Sequence, residues 1–171
     1  IWLAGLLAMT TAPGPLRRRF VDELQPPYPT FQSSDLPPIQ VVIASSKKDF
    51  GLLPATIASC FQLVSNPIES VHVVVPNHEV DTASQLGTSA VVLGEDALLP
   101  PALKEAVGQH HPTGRYGWVL QQVIGLYFAW SSDSPGVLVL DSDTILTRPR
   151  AFLSGDRKQL ISVSHEYHEP Y

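Results

Sequence analysis

The stretch VLVLDSDTILTRP, residues 137–149, runs four apolar residues straight into two aspartates one residue apart. An apolar run without polar alternation describes a strand buried on both faces, as in a parallel sheet covered by helices on either side. Ligands of such sheets bind beyond the carboxyl ends of the strands. Asp141 and Asp143 stand at such an end, so one segment bears on both the fold and the site.

Working outward, the pattern alternates. IQVVIAS (39–45), SVHVVVP (70–76), SAVVLGED (89–96) and GVLVLD (136–141) read as strands, with QLISVS (159–164) as a fifth. LLPATIASCFQLVS (52–65) repeats apolar residues at helical spacing and stops before Asn66-Pro67. Residues 100–107 and YGWVLQQVIGLYFAW (116–130) read as two further helices. Strands alternating with helices give an α/β fold with a mainly parallel sheet flanked by helices. Residues 13–38 hold Pro13, Pro15, Pro26, Pro27, Pro29, Pro37 and Pro38, a linker rather than a core element. The expected division is an apolar stub and proline-rich linker over residues 1–38 and a folded domain over 39–171.

Of the 171 residues, 44% are hydrophobic and 16% charged, enough apolar material for a sizeable core. The net charge of -5, with no basic stripe beyond Arg17, Arg18 and Arg19, argues against a nucleic-acid partner. Cys60 is the one cysteine and falls in a helical apolar pattern, so it reads as a small core residue. The chain opens on Ile rather than Met, with IWLAGLLAM too short to span a bilayer, which takes about 20 residues. That stub, ahead of the arginines and the proline-rich stem, would suit membrane association but leaves the localisation open.

Two carboxylates held close together repel and raise each other's pKa unless a cation intervenes. In an extended segment, residues 141 and 143 would face one volume. Hard cations such as Mn²⁺ or Mg²⁺ take oxygen ligands and commonly combine one or two carboxylates with substrate phosphates. The chemistry this suggests is a metal between the acidic turn and a diphosphate. The plain alternative is a capped turn, its aspartates accepting backbone N–H groups. An aspartyl-phosphate phosphatase also places D-x-D after an apolar strand. Here Thr144 and Ile145 depart from its following residues, and the motif lies close to the chain end.

The helix at 116–130 is apolar nearly all round, which predicts full burial. Its exceptions, Gln121 and Gln122, need partners when buried. Gly125 lies on their face. Either the amides line a ligand pocket, or they bond nearby backbone while the glycine permits close packing.

Together GWVLQQ, VLVLDSDTILTRP and SHEYHEPY resemble a glycosyltransferase-like family with a G-W-x-x-Q-Q helix, a D-[AS]-D-T strand end with a following R-P, and a loop rich in His, Tyr and Pro. The resemblance covers about residues 114–171, and reaches back to residue 39 through the first strand and its VIASSKKD loop. It implies a GT-A-like, Rossmann-like domain, shortened at the C-terminus. The implied activity is transfer of a sugar from a nucleotide-diphosphate donor to an acceptor that is a glycan, lipid or protein, assisted by Mn²⁺ or Mg²⁺. By the same resemblance Asp143 ligates the metal, and Asp141 contacts the ribose or the metal and its water. Ser45 and Asp49 lie near the nucleobase, and Trp118, Gln121 and Gln122 line the donor pocket. The catalytic base stays unassigned. Two other readings stand beside this one: a nucleotidyltransferase on a similar sheet, and a noncatalytic truncated module that binds nucleotide. His165 and His168, three apart, are candidates for acceptor recognition or a late contact at the metal site. His110 and His111 read as loop residues and His72 as a satisfied core histidine.

Overall fold

The computed structural model of the protein describes residues 35–111 and 114–161. The chain divides into two units, Ile1–Thr30 with Ile161–Tyr171, and Phe31–Leu160. The second unit holds the sheet and its helices.

Four strands form one sheet: β1 (Ile39–Ala44), β2 (Ile68–Val75), β3 (Val91–Gly94) and β4 (Val137–Asp141). Their order is β3-β2-β1-β4 and every pairing is parallel. The helices are α1 (Leu53–Leu63), α2 (Val80–Ser84), α3 (Glu95–Leu98), α4 (Pro101–His110) and α5 (Tyr116–Ser131). The architecture is thus α/β, an all-parallel sheet between helical layers.

The continuous apolar runs follow from the two cores. Side chains alternate across a strand, so Val41, Ile43, Val71 and Val73 meet Leu53, Ile57 and Cys60 of α1 on one face. Val42 and Val74 meet Leu120, Ile124 and Phe128 of α5 on the other. Both faces of the central parts of β1 and β2 are therefore covered. Cys60 is fully buried, and burial pushes its thiol up to about 11. His72 of β2 accepts or donates at Nε2 with the Ser70 hydroxyl (2.8 Å) and leans on the Phe128 ring, centroids 4.8 Å apart. Its Nδ1 is buried without a partner among the described residues, so it is satisfied at one nitrogen and not both. Burial lowers its pKa, which keeps the ring neutral.

Two expectations need correction. β4 is not buried on both faces: among the described residues it is the edge of the sheet, and Val139 is 50% exposed. Nor is α5 buried all round. Leu120, Ile124, Gly125 and Phe128 form its covered face, while Trp118, Leu126 and Trp130 are 62%, 72% and 78% exposed. The inner face of α5 packs on Val42 of β1 and Val74 of β2, and no described residue covers its outer side.

β3 is shorter than the expected 89–96 because α3 begins at Glu95. A Cβ at Gly94 would collide with the Asn77 side chain, so the exit of β3 is tight. Short helical turns at Lys47–Asp49 and Asn77–Glu79, with α2 and α3, were not evident in the sequence pattern. Of the fifth strand only residues 159–161 are described. Gln159 forms a lone antiparallel bridge with Leu153, and residues 162–164 lie outside the described residues. No helix among the described residues is long and apolar enough to cross a membrane.

After β4 the chain turns and runs back beside α1. Arg150 N–H donates to the Leu63 carbonyl and Ser65 N–H to the Arg150 carbonyl, each at 2.8 Å. The path ends on Asn66, 1% exposed. Its amide nitrogen donates to the carbonyls of Pro37 (3.0 Å) and Leu153 (2.9 Å), and its oxygen accepts from Phe152 N–H (2.8 Å) and Leu153 N–H (3.3 Å). One buried amide ties the lead into β1, the start of β2 and the returning segment together. Replacing Asn66 by Ala leaves those backbone groups without partners, each costing about 1–3 kcal/mol where water cannot enter. We predict that Asn66→Ala lowers unfolding free energy by about 2–4 kcal/mol in urea titration; a loss below ~0.5 kcal/mol would show that the hub is dispensable.

Candidate functional site at the sheet reversal

Strand order reverses between β1 and β4: the chain leaves β1 toward β2 on one side, and β4 lies on the other. At such a reversal the connections diverge and leave a crevice beyond the carboxyl ends. The register puts Ala44, the last residue of β1, opposite Asp141, the last of β4. Both expected loops, Ser45 to Asp49 and Asp141 to Asp143, thus start side by side.

Two clefts open there. One of about 520 Å³ lies between the β1 loop and the start of α5, bordered by Ser45, Asp49, Glu95, Tyr116, Trp118 and Gln121. The other, about 380 Å³, lies along the β4 edge, bordered by Ala44, Gln121, Gln122, Gly125, Asp141 and Thr144. Ala44 and Gln121 border both. In the larger cleft the Ser45 hydroxyl is shut off from solvent and has no partner among the described residues. A buried hydroxyl without a hydrogen bond is costly. Glu95, at its far side, is paired with Lys104 at 3.0 Å. The same lysine reaches Asp96 at 2.6 Å and holds that carboxyl below the usual carboxylate range.

The acidic segment is not extended. Thr144 N–H donates to the Asp141 carbonyl at 3.1 Å, closing a turn over Ser142 and Asp143. The side-chain spacing of an extended segment therefore does not apply. Asp141 ends β4, exposed, and its Oδ1 accepts a 3.0 Å hydrogen bond from the Gln121 amide. Asp143 is exposed at the turn. Ser142 between them is 4% exposed and points inward: its hydroxyl donates to Asp49 Oδ2 at 2.9 Å. Its carbonyl accepts from the Thr56 hydroxyl of α1, also at 2.9 Å. One turn further along α1, the Ser59 hydroxyl accepts from Leu146 N–H at 3.1 Å.

Of the residues expected at the site, Ser45, Asp49, Trp118 and Gln121 border the larger cleft, and Gln121, Gln122 and Asp141 the smaller. Asp143 stands on the adjoining turn. His165 and His168 lie outside the described residues. Sequence reading missed Thr56, Ser59 and Ser142. Thr56 and Ser59 left a signal, small hydroxyl residues at i and i+3 on a largely apolar helix; Ser142 left none, since its partners are distant in sequence. It also missed Lys48, Glu95 and Tyr116 on the cleft wall, which no local pattern connects. The two readings of the glutamine face are resolved in part. Gln121 bonds the acidic turn, and Gly125 gives close packing, since a Cβ there would lie 2.6 Å from Val139 Cγ1.

Among the described residues no group of three or more His, Cys, Asp and Glu side chains is assembled for a metal. Asp141 and Asp143 are hard oxygen donors and suit a Mg²⁺- or Mn²⁺-type cation. They could supply only part of its coordination, with water and ligand oxygens supplying the rest.

Fold and clefts define an α/β protein with a crevice at the reversal of a parallel sheet. The chain belongs to DUF6492, a family of unknown function, whose model matches residues 48–165. No curated protein and no solved structure matches it.

The close approach of α5 to β4 sets Gln121 on Asp141, and the contact can be tested directly. In Gly125→Ala, overpacking against Val139 costs about 1–3 kcal/mol, against about 1 kcal/mol of gained helix propensity. We expect a net loss of up to ~2 kcal/mol by urea titration, recovered mostly in Gly125→Ala/Val139→Ala. A Gly125→Ala variant stabilised by the full ~1 kcal/mol of helix propensity would contradict the contact.

Proposed function

We propose that this protein is a metal-dependent glycosyltransferase of GT-A type, transferring a sugar from a nucleotide-diphosphate donor to a hydroxyl acceptor. The observation that carries this reading is the acidic turn, Asp141 to Asp143, set against paired clefts at the sheet reversal. The resemblance of GWVLQQ and VLVLDSDTILTRP to glycosyltransferase-like sequences supports it. The nucleoside would occupy the larger cleft between Ser45, Asp49 and Trp118, where the Ser45 hydroxyl lacks a partner among the described residues. The diphosphate would lie toward Gln121 and the acidic turn. Asp143 and Asp141 would hold Mn²⁺ or Mg²⁺, which stabilises the negative charge that builds on the departing diphosphate. Gln121 holds the Asp141 carboxylate in one orientation. In the reaction the bond from anomeric carbon to phosphate oxygen breaks, and its electrons leave with the diphosphate. The acceptor oxygen forms the new bond and gives up its proton to a base not assigned among the described residues.

The test is a thermal-shift titration of the full chain with UDP, GDP, UTP and GTP, with and without Mn²⁺. Ligand at a thousand times its Kd stabilises by about 4 kcal/mol. The expected result is a metal-dependent rise in Tm for one diphosphate, lost in Asp143→Asn. Preference for a triphosphate would turn the reading toward a nucleotidyltransferase. Undiminished metal-dependent binding in Asp143→Asn would remove Asp143 from the site.

A further inference from the structure

Ser142 lies inside the acidic turn but faces away from it. Neither aspartate beside it is buried, yet Ser142 is 4% exposed and uses its hydroxyl and its carbonyl on other elements. Its hydroxyl goes to Asp49 Oδ2, on the loop after β1, and Asp49 itself borders the larger cleft. Its carbonyl receives the hydroxyl of Thr56, which is wholly buried on α1. The β1 loop is held from its other side as well, by Glu79 Oε2 accepting from Lys47 N–H at 2.7 Å. No surface is contributed to a ligand by Ser142 or Thr56.

We propose that Ser142 and Thr56 are positioning residues that link the nucleotide cleft to the metal-holding turn. Through the Asp49–Ser142 hydrogen bond, the wall of the nucleoside cleft and the turn bearing Asp143 move as one body. Thr56 anchors that body to the core. A nucleotide that orders the Ser45–Asp49 loop then orders the carboxylates too, and a cation at the carboxylates orders the loop. The two ligands thereby strengthen each other, and the strengthening is equal in both directions. The inference rests on the proposed nucleotide and metal reading and adds how the two halves of that site are joined.

Binding of UDP and GDP to the full chain, by calorimetry with and without Mn²⁺, tests it in the native protein, Ser142→Ala, Thr56→Val and Thr56→Ser. The quantity read is the factor by which Mn²⁺ raises nucleotide affinity. In Ser142→Ala this factor should fall about 10-fold, the scale of one lost hydrogen bond to a charged acceptor, with affinity in the absence of metal within about 2-fold of native. Thr56→Val keeps the shape and loses the hydroxyl, so the factor should fall there as well. Thr56→Ser restores the hydroxyl and should restore the factor. Should Ser142→Ala not fold, the two Thr56 variants decide alone. Equal loss with and without Mn²⁺ would show a merely structural role and overturn the proposal. So would a folded Ser142→Ala, or Thr56→Val, with the native factor. If the native protein itself shows no metal enhancement, the proposed function falls and the link with it; enhancement in the native protein that survives in the variants removes the link alone.

Discussion

Parallel pairing of β1 with β4 is the contact on which the site depends. It sets Ala44 beside Asp141, so the two loops that carry polar chemistry leave the sheet from adjacent positions. Residues distant in sequence, Asp49 and Ser142, then lie within one hydrogen bond. The pairing is stable because β1 is the most enclosed strand, with Val41, Val42 and Ile43 all inaccessible to solvent. At about 25 cal/mol per Å² of apolar surface, such burial on both faces outweighs any single hydrogen bond at the loops. The core holds the strands, and the loops inherit their placement.

That inheritance explains why α1 has a mixed face. Leu53, Ile57 and Cys60 fill the core, while Thr56 and Ser59, buried on the same helix, turn hydroxyls toward the segment after β4. An apolar residue at either position would pack as well, but would leave the Ser142 carbonyl or Leu146 N–H without its partner. Asn66 does the same work at the other end of the return path. The segment from Ser142 to Leu153 lacks regular structure. Many of its backbone partners come from side chains of α1, from Asn66 and from the backbone at the end of α1.

The strands and main helices were legible because both rest on local periodicity. IQVVIA, SVHVVV and VLVLD carry continuous apolar runs, and LLPATIASCFQL repeats at helical spacing. What was not legible depends on place in the sheet. VLVL reads alike in a central and an edge strand, yet β4 proved to be the edge with Val139 half exposed. Likewise Trp118, Leu126 and Trp130 of α5 stand outside, although nothing in their sequence marks them as such. At the site, Asp141, Gln121, Ser45 and Asp49 could be gathered from strand ends and motif. The inward role of Ser142 could not, because it needs Thr56 and Asp49, neither near it in sequence.

The kind of donor that meets each carboxylate has a chemical consequence. Asp141 is held by the amide of Gln121, and Asp49 by the hydroxyl of Ser142. Amides and hydroxyls fill a lone pair and set an orientation, but they carry no charge and leave the carboxylate its full negative charge. Lys48 does approach Asp49, at 4.0 Å, but its side chain is 80% exposed. An exposed pair of that kind contributes about 0–1 kcal/mol. Contrast Asp96 and Glu95 a short way off, where Lys104 closes on both carboxylates and offsets one of their two charges. Neutral donors thus orient carboxylates where the chains of β1 and β4 end, and a cation closes the pair at the end of β3. Under the proposed reading, carboxylates oriented by neutral donors keep the charge that a dissociable cation requires, and a lysine in place of Gln121 would orient Asp141 but offset that charge.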